Sequence, residues 1–193
     1  MSRYAFISHY SDYGSKVLSG ANDFWEHFDL PVEKNELLRF SMFMGIFAFA
    51  GYLFSYTIVG KIWNWWPFVR TTVPVPRAIM CAGLQWVFFA VFPMLSALLT
   101  EFLLGRKRSV DVDGLQVIVT YSMTPVYVAA LFLGVPFFNR TITFLAICTF
   151  LYLLYYGYRI YLKQSVWQSI LLSFLVAILF SLIRQMFIYV IGF

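Results

Sequence analysis

Residues 166–193 read VWQSILLSFLVAILFSLIRQMFIYVIGF, a long apolar run whose single charged side chain is Arg184. An α-helix rises 1.5 Å per residue, so about 20 apolar residues reach across a bilayer hydrocarbon core of roughly 30 Å. Four further stretches meet that length, 41–60, 78–104, 115–138 and 141–162. The sequence therefore predicts an all-α polytopic membrane protein, a bundle of five transmembrane helices with an N-terminal cytoplasmic amphipathic helix. Composition agrees. The chain of 193 residues is 61% hydrophobic and only 12% charged, and a water-soluble domain of that size could not cover so much apolar surface with so few polar groups.

Two regions follow, a polar head at 1–40 and a five-helix transmembrane domain at 41–193, with no length left for a second soluble domain. The head holds Arg3, Lys16, Lys34 and Arg39 against Asp12, Asp23, Glu26, Asp29, Glu33 and Glu36. Within it Val17, Leu18, Ala21, Phe24, Trp25 and Phe28 recur at helical spacing and form one apolar stripe. Helices that rest on anionic lipid usually carry a basic polar face, whereas this one is mostly acidic. The expectation is that the stripe docks on a partner protein, a neighbouring subunit of a larger complex. Pro31 fits the first turn of helix one, where its missing N–H costs nothing. The first apolar run starts near Ser41 behind an acidic stretch, so no cleavable signal peptide is expected and the first helix itself directs insertion.

The excess of basic residues, 14 Lys and Arg against 9 Asp and Glu, sits mostly at helix ends, which makes it a topology signal and not a sign of nucleic-acid binding. With the N-terminus cytoplasmic, that side holds Arg3, Lys16, Lys34, Arg39, Arg106, Lys107, Arg108, Arg159 and Lys163. The other side holds Lys61, Arg70, Arg77 and Arg140. This bias predicts an N-in, C-out chain. The Arg106-Lys107-Arg108 cluster follows an apolar helix directly and reads as a cytoplasmic stop in contact with anionic lipid. Trp63, Trp65 and Trp66 lie between helices one and two, where tryptophan anchors a helix at headgroup level. An aromatic platform for a ligand or neighbouring chain is the alternative.

Chemistry at depth requires ionisable or hydrogen-bonding groups, and few are present. Glu101 lies near the cytoplasmic end of helix two and reads as an interfacial ion pair, while Arg184 is placed to snorkel to the far interface. The only histidines, His9 and His27, are in the head, so no haem is expected to be held between helices by this chain alone, and no metal or other cofactor either. Cys81 and Cys148 fall inside apolar spans, where cysteine behaves as a small buried hydrophobe. No HExxH, GxxxxGK[ST] or GxSxG motif occurs. Five helices also do not divide into the equal halves of an inverted-repeat transporter.

One segment stands out. Helix three contains Tyr121, Ser122, Thr124 and Pro125, with Pro136 eleven residues on, and helix four ends with Tyr155, Gly157 and Tyr158 in the run Tyr-Tyr-Gly-Tyr-Arg-Ile-Tyr-Leu-Lys. A proline inside a spanning helix frees a carbonyl that nearby hydroxyls can take up, and a glycine lets helices approach closely. Ordinary packing with an aromatic belt explains these features as well. The Tyr-Ser-x-Thr-Pro segment, the second proline and the Tyr-x-Gly-Tyr-x-x-Tyr-Leu helix end resemble the Yip (Ypt/Rab-interacting protein) domain family over residues 35–193, and the five-span, N-in layout is similar too. That resemblance implies a non-enzymatic membrane protein that works by contacting partners. Eukaryotic relatives bind Rab-type GTPases in vesicle traffic. The compact head and short loops look like a bacterial member, for which Rab binding has no meaning, and imply the inner membrane. The basic 106–108 loop and the acidic head depart from the family pattern, so no partner's identity carries over. The expected roles rank as accessory or scaffold subunit of a larger membrane complex, then small-solute transporter or channel, then membrane enzyme.

Overall fold

The computed structural model describes residues 12, 14–28, 34–59, 61–62, 70–71, 74–104, 112–134 and 138–191. Pro31, Trp63, Trp65, Trp66, Arg106, Lys107, Arg108 and Pro136 lie outside the described residues. A helical segment at 14–19 is followed by α1 (Ala21–Glu26), α2 (Lys34–Phe54), α3 (Val75–Leu104), α4 (Val112–Ser122), α5 (Thr124–Ala130), α6 (Phe138–Tyr156) and α7 (Val166–Ile191). Wider π turns extend α2 through Ser55–Val59 and α6 through Gly157–Tyr161, and a 3-10 turn, Leu131–Gly134, extends α5. After α2, the two-residue strands β1 (Lys61–Ile62) and β2 (Arg70–Thr71) pair antiparallel, with Lys61 opposite Thr71.

Five of these helical units are long and apolar enough to cross a membrane: Asn35–Thr57, Val75–Phe102, Asp113–Leu133, Thr141–Tyr161 and Val166–Met186. The protein is an integral membrane protein by that length and composition. The third span is the hub, 72% buried inside the molecule, while the fifth, at 28%, presents most of its surface outward. On α7 the outward face is the stripe Trp167, Leu171, Phe174, Ile178, Leu182 and Met186, and the inward face carries Ser169, Leu172, Ser173, Val176 and Phe180.

Two boundaries differ from the sequence expectation. The first span begins at Asn35, ahead of the apolar run at Ser41, because Leu37, Phe40 and Ser41 already face the bundle while Leu38 and Arg39 look outward. The head also breaks at Gly20, whose extended backbone separates the helical segment 14–19 from α1. Cys81 is buried as expected, but Cys148 is exposed on the outer face of α6.

Pro76 sits in the first turn of α3, where its missing N–H costs nothing, and the two prolines further inside the spans are each answered by a hydroxyl. Pro93, inside α3, has no N–H to offer the Phe89 carbonyl one turn earlier. The buried Tyr127 of α5 donates its hydroxyl to that carbonyl at 2.9 Å, so the orphaned acceptor becomes a tie between the second and third spans. Pro125 likewise leaves the Tyr121 carbonyl without its helical donor, and Thr124 Oγ1 donates to it at 2.7 Å. Ser122, the other hydroxyl in that segment, is buried with no partner among the described residues. Around the middle of the bundle, Phe88, Phe89 and Phe92 of α3 meet Tyr127, Phe150 and Phe180. Phe92 and Phe180 stand edge to face at 5.1 Å, and Phe150 lies 6.1 Å from Phe180. These rings fill the interior across four of the five spans.

Candidate functional site

At the face that carries the head, the residues of the helix three and helix four motifs come together. Tyr121, Ser122, Thr124, Pro125, Gly157 and Tyr158 are all buried, and Tyr155 is half-buried. Gly157 has a steric role. A Cβ there would stand 2.7 Å from Ile118 Cγ2 of α4 and 3.2 Å from Trp25 Cε2 of α1, so the missing side chain admits the third span and the head at once. Phe24 and Phe28 pack on Tyr121 at 5.6 and 5.2 Å, and Phe40 joins from α2 at 4.8 Å. Trp25 and Phe28 each lie 6.0 Å from Tyr161.

The apolar stripe of the head is thus covered by the chain's own bundle. Val17, Ala21, Phe24 and Trp25 are buried within the molecule and Phe28 is partly so, while Leu18 turns outward at 47% exposure. The protein surface expected from a partner subunit is instead supplied by this chain's own third and fourth spans, because Gly157 and the rings of Tyr121 and Tyr161 leave a recess that the head fills. Asp23 and Glu26, on the other side of α1, remain exposed.

The opposite end of the bundle holds a feature that the sequence reading passed over. Arg184, expected near the far interface, lies on the inward face of α7, one turn beyond the buried Phe180. Its Nη2 donates to Tyr52 Oη of α2 at 3.1 Å, and its Nε is buried with no partner among the described residues. The signal was present as spacing: Ser169, Ser173, Val176 and Phe180 step by three or four residues to position 184, opposite the outward stripe.

Arg184 and Tyr52 line a hollow with Phe89, Ala130, Thr143 and Phe180, so that all five spans contribute. Its empty space is about 350 Å³ including the part open to its surroundings, while the room it offers a water-sized molecule is about 20 Å³, enough for one water. Gly51 sets its position. A Cβ at Gly51 would collide with the Ala130 carbonyl and come within 3.0 Å of Leu131 Cα. The first and third spans therefore touch backbone to backbone beside Tyr52.

Elsewhere, Glu101 is half-buried near the end of α3. Lys163 takes a left-handed φ of 51°, turning the chain from the fourth span to the fifth while Gln164 N–H bonds the Tyr158 carbonyl at 3.1 Å. Among the described residues no group of three His, Cys, Asp or Glu side chains could hold a metal ion. Compared with protein-family models, curated proteins and solved structures, the chain matches none.

Proposed function

We propose that this chain is a non-catalytic integral membrane protein that acts through contacts with other membrane proteins, as an accessory, assembly or scaffold subunit of a larger complex. The observation that carries this reading is the division of the bundle. Stacked rings fill its interior and the head closes one end, whereas the fourth and fifth spans turn most of their surface outward, with Phe144, Leu145 and Trp167 more than half exposed. A filled interior with broad outer faces suits a protein whose partners lie beside it in the bilayer.

The reading includes an N-terminus in the cytoplasm and a C-terminus outside, supported by the cation count. It also includes a bacterial inner-membrane location and a likeness to the Yip domain, supported by the five spans and by the shared burial of Tyr121, Thr124, Pro125, Gly157 and Tyr158. Small-solute transport is the second reading, favoured by the arginine-lined hollow at the far end. Mild solubilisation of native membranes, followed by sizing and peptide identification, tests the first. The chain is expected to migrate with the same protein partners in fixed proportion across two unrelated detergents. Migration alone in its micelle sinks the subunit reading, and solute flux in proteoliposomes of the isolated chain would establish the second.

A further inference from the structure

We propose that Arg184 and Tyr52 form a site for a phosphate-type oxyanion, carried either by an anionic lipid headgroup of the far leaflet or by a small soluble anion. This goes beyond the subunit reading and does not depend on it.

The first support is charge. Arg184 lies about 27 Å along α7 from Val166 by the helical rise, near the far margin of the hydrocarbon core. A guanidinium held there away from bulk water needs an opposite charge or several acceptors. Among the described residues its one hydrogen bond goes to a neutral phenol, Tyr52. No Asp or Glu of the sequence falls at that end. All nine carboxylate side chains of the sequence fall at 12–36 and 101–113, segments that reach only the ends of the spans on the head's side. Glu36, on the same helix as Tyr52, is some 24 Å away by the helical rise. The segments at the far end carry Lys61, Arg70, Arg77 and Arg140 and no Asp or Glu.

The second support is shape and donor chemistry. The guanidinium lines a hollow that is otherwise mostly apolar and open on one side, as a site for an amphiphile must be. Arginine presents planar, paired donors that match phosphate oxygens, and Nε has no acceptor among the described residues. Because Tyr52 Oη accepts from Arg184, its own proton stays available to the same anion.

The test uses the purified, delipidated full chain. Its thermal midpoint is measured in mixed micelles containing phosphatidylglycerol or phosphatidylcholine, and in detergent alone with sodium phosphate or sodium chloride at matched ionic strength. A lipid source predicts a midpoint about 3 °C or more higher with phosphatidylglycerol than with phosphatidylcholine. A small-anion source predicts that phosphate alone gives the rise. In either case R184Q loses the difference, while R159Q, which removes an exposed cation at the head's end, keeps it. No difference in either wild-type comparison overturns the proposal without recourse to any variant, and so does a full-sized difference retained by R184Q.

Discussion

Gly51→Leu is expected to leave almost no folded, extractable protein. At this position the first and third spans meet with no side chain between them, and even a methyl group would overlap the Ala130 carbonyl. The obstacle is backbone in the most buried span of the bundle, so no rotamer change can relieve it. Overpacking a well-filled interior costs about 1–3 kcal/mol when side chains can shift. Here two helices must separate, and the expected loss lies at or above the top of that range, enough to unfold a protein of ordinary stability. The separation would also pull Tyr52 away from Arg184. The check is monodispersity and yield after extraction. Gly83, whose added Cβ would meet nothing within 4 Å, is the control: Gly83→Leu should accumulate as the wild type does. A Gly51→Leu protein that extracts and melts like the wild type would show that these two spans do not touch as described.

Trp25→Ala should destabilise the protein by about 3–5 kcal/mol, the range for deleting a large buried aromatic side chain. Trp25 is only 2% exposed although it belongs to the polar head. It is seated against Gly157 and Tyr161, with Phe24 at 5.0 Å and Phe28 at 5.7 Å. Removing it empties the recess that Gly157 leaves open. Its Nε1 has no partner among the described residues, so Trp25→Phe sacrifices no hydrogen bond and should cost clearly less than Trp25→Ala. Thermal midpoints in detergent, with proteolysis of the head as a second readout, decide the matter. An alanine variant that melts with the wild type and keeps its head protected would mean that the head is not part of the bundle.

These two positions mark how far the sequence could be read. The number and approximate limits of the spans were legible because lipid demands long apolar runs, and nothing else in a chain of this length produces five of them. The stripe through Val17, Phe24 and Trp25 was legible as a protein-facing surface from its spacing and its acidic neighbours. Its destination was not, because periodicity records that a face is buried and is silent about which surface buries it. Gly157 could be singled out among tyrosines as a close-contact residue. Gly51, inside a uniformly apolar run, carried no such contrast, and its importance depends on the Ala130 backbone nearly eighty residues away. The partner of Arg184 was hidden for a related reason. Distance along the helix put it near an interface, where arginine usually snorkels, but could not reveal the rotation of α7, set by Ser173, Val176 and Phe180 packing inward, that turns it toward Tyr52.

Every part of this account rests on five crossings that put the head and all the carboxylate side chains at one end of the bundle and the cationic hollow at the other. The most direct test introduces single cysteines at Trp65 and Lys163 in a chain whose Cys81 and Cys148 have been replaced by alanine, and labels intact cells with a thiol reagent that does not cross membranes. Position 65 is predicted to react from outside, and position 163 only after the cells are opened. Labelling of both positions from the same side would contradict the five-span arrangement.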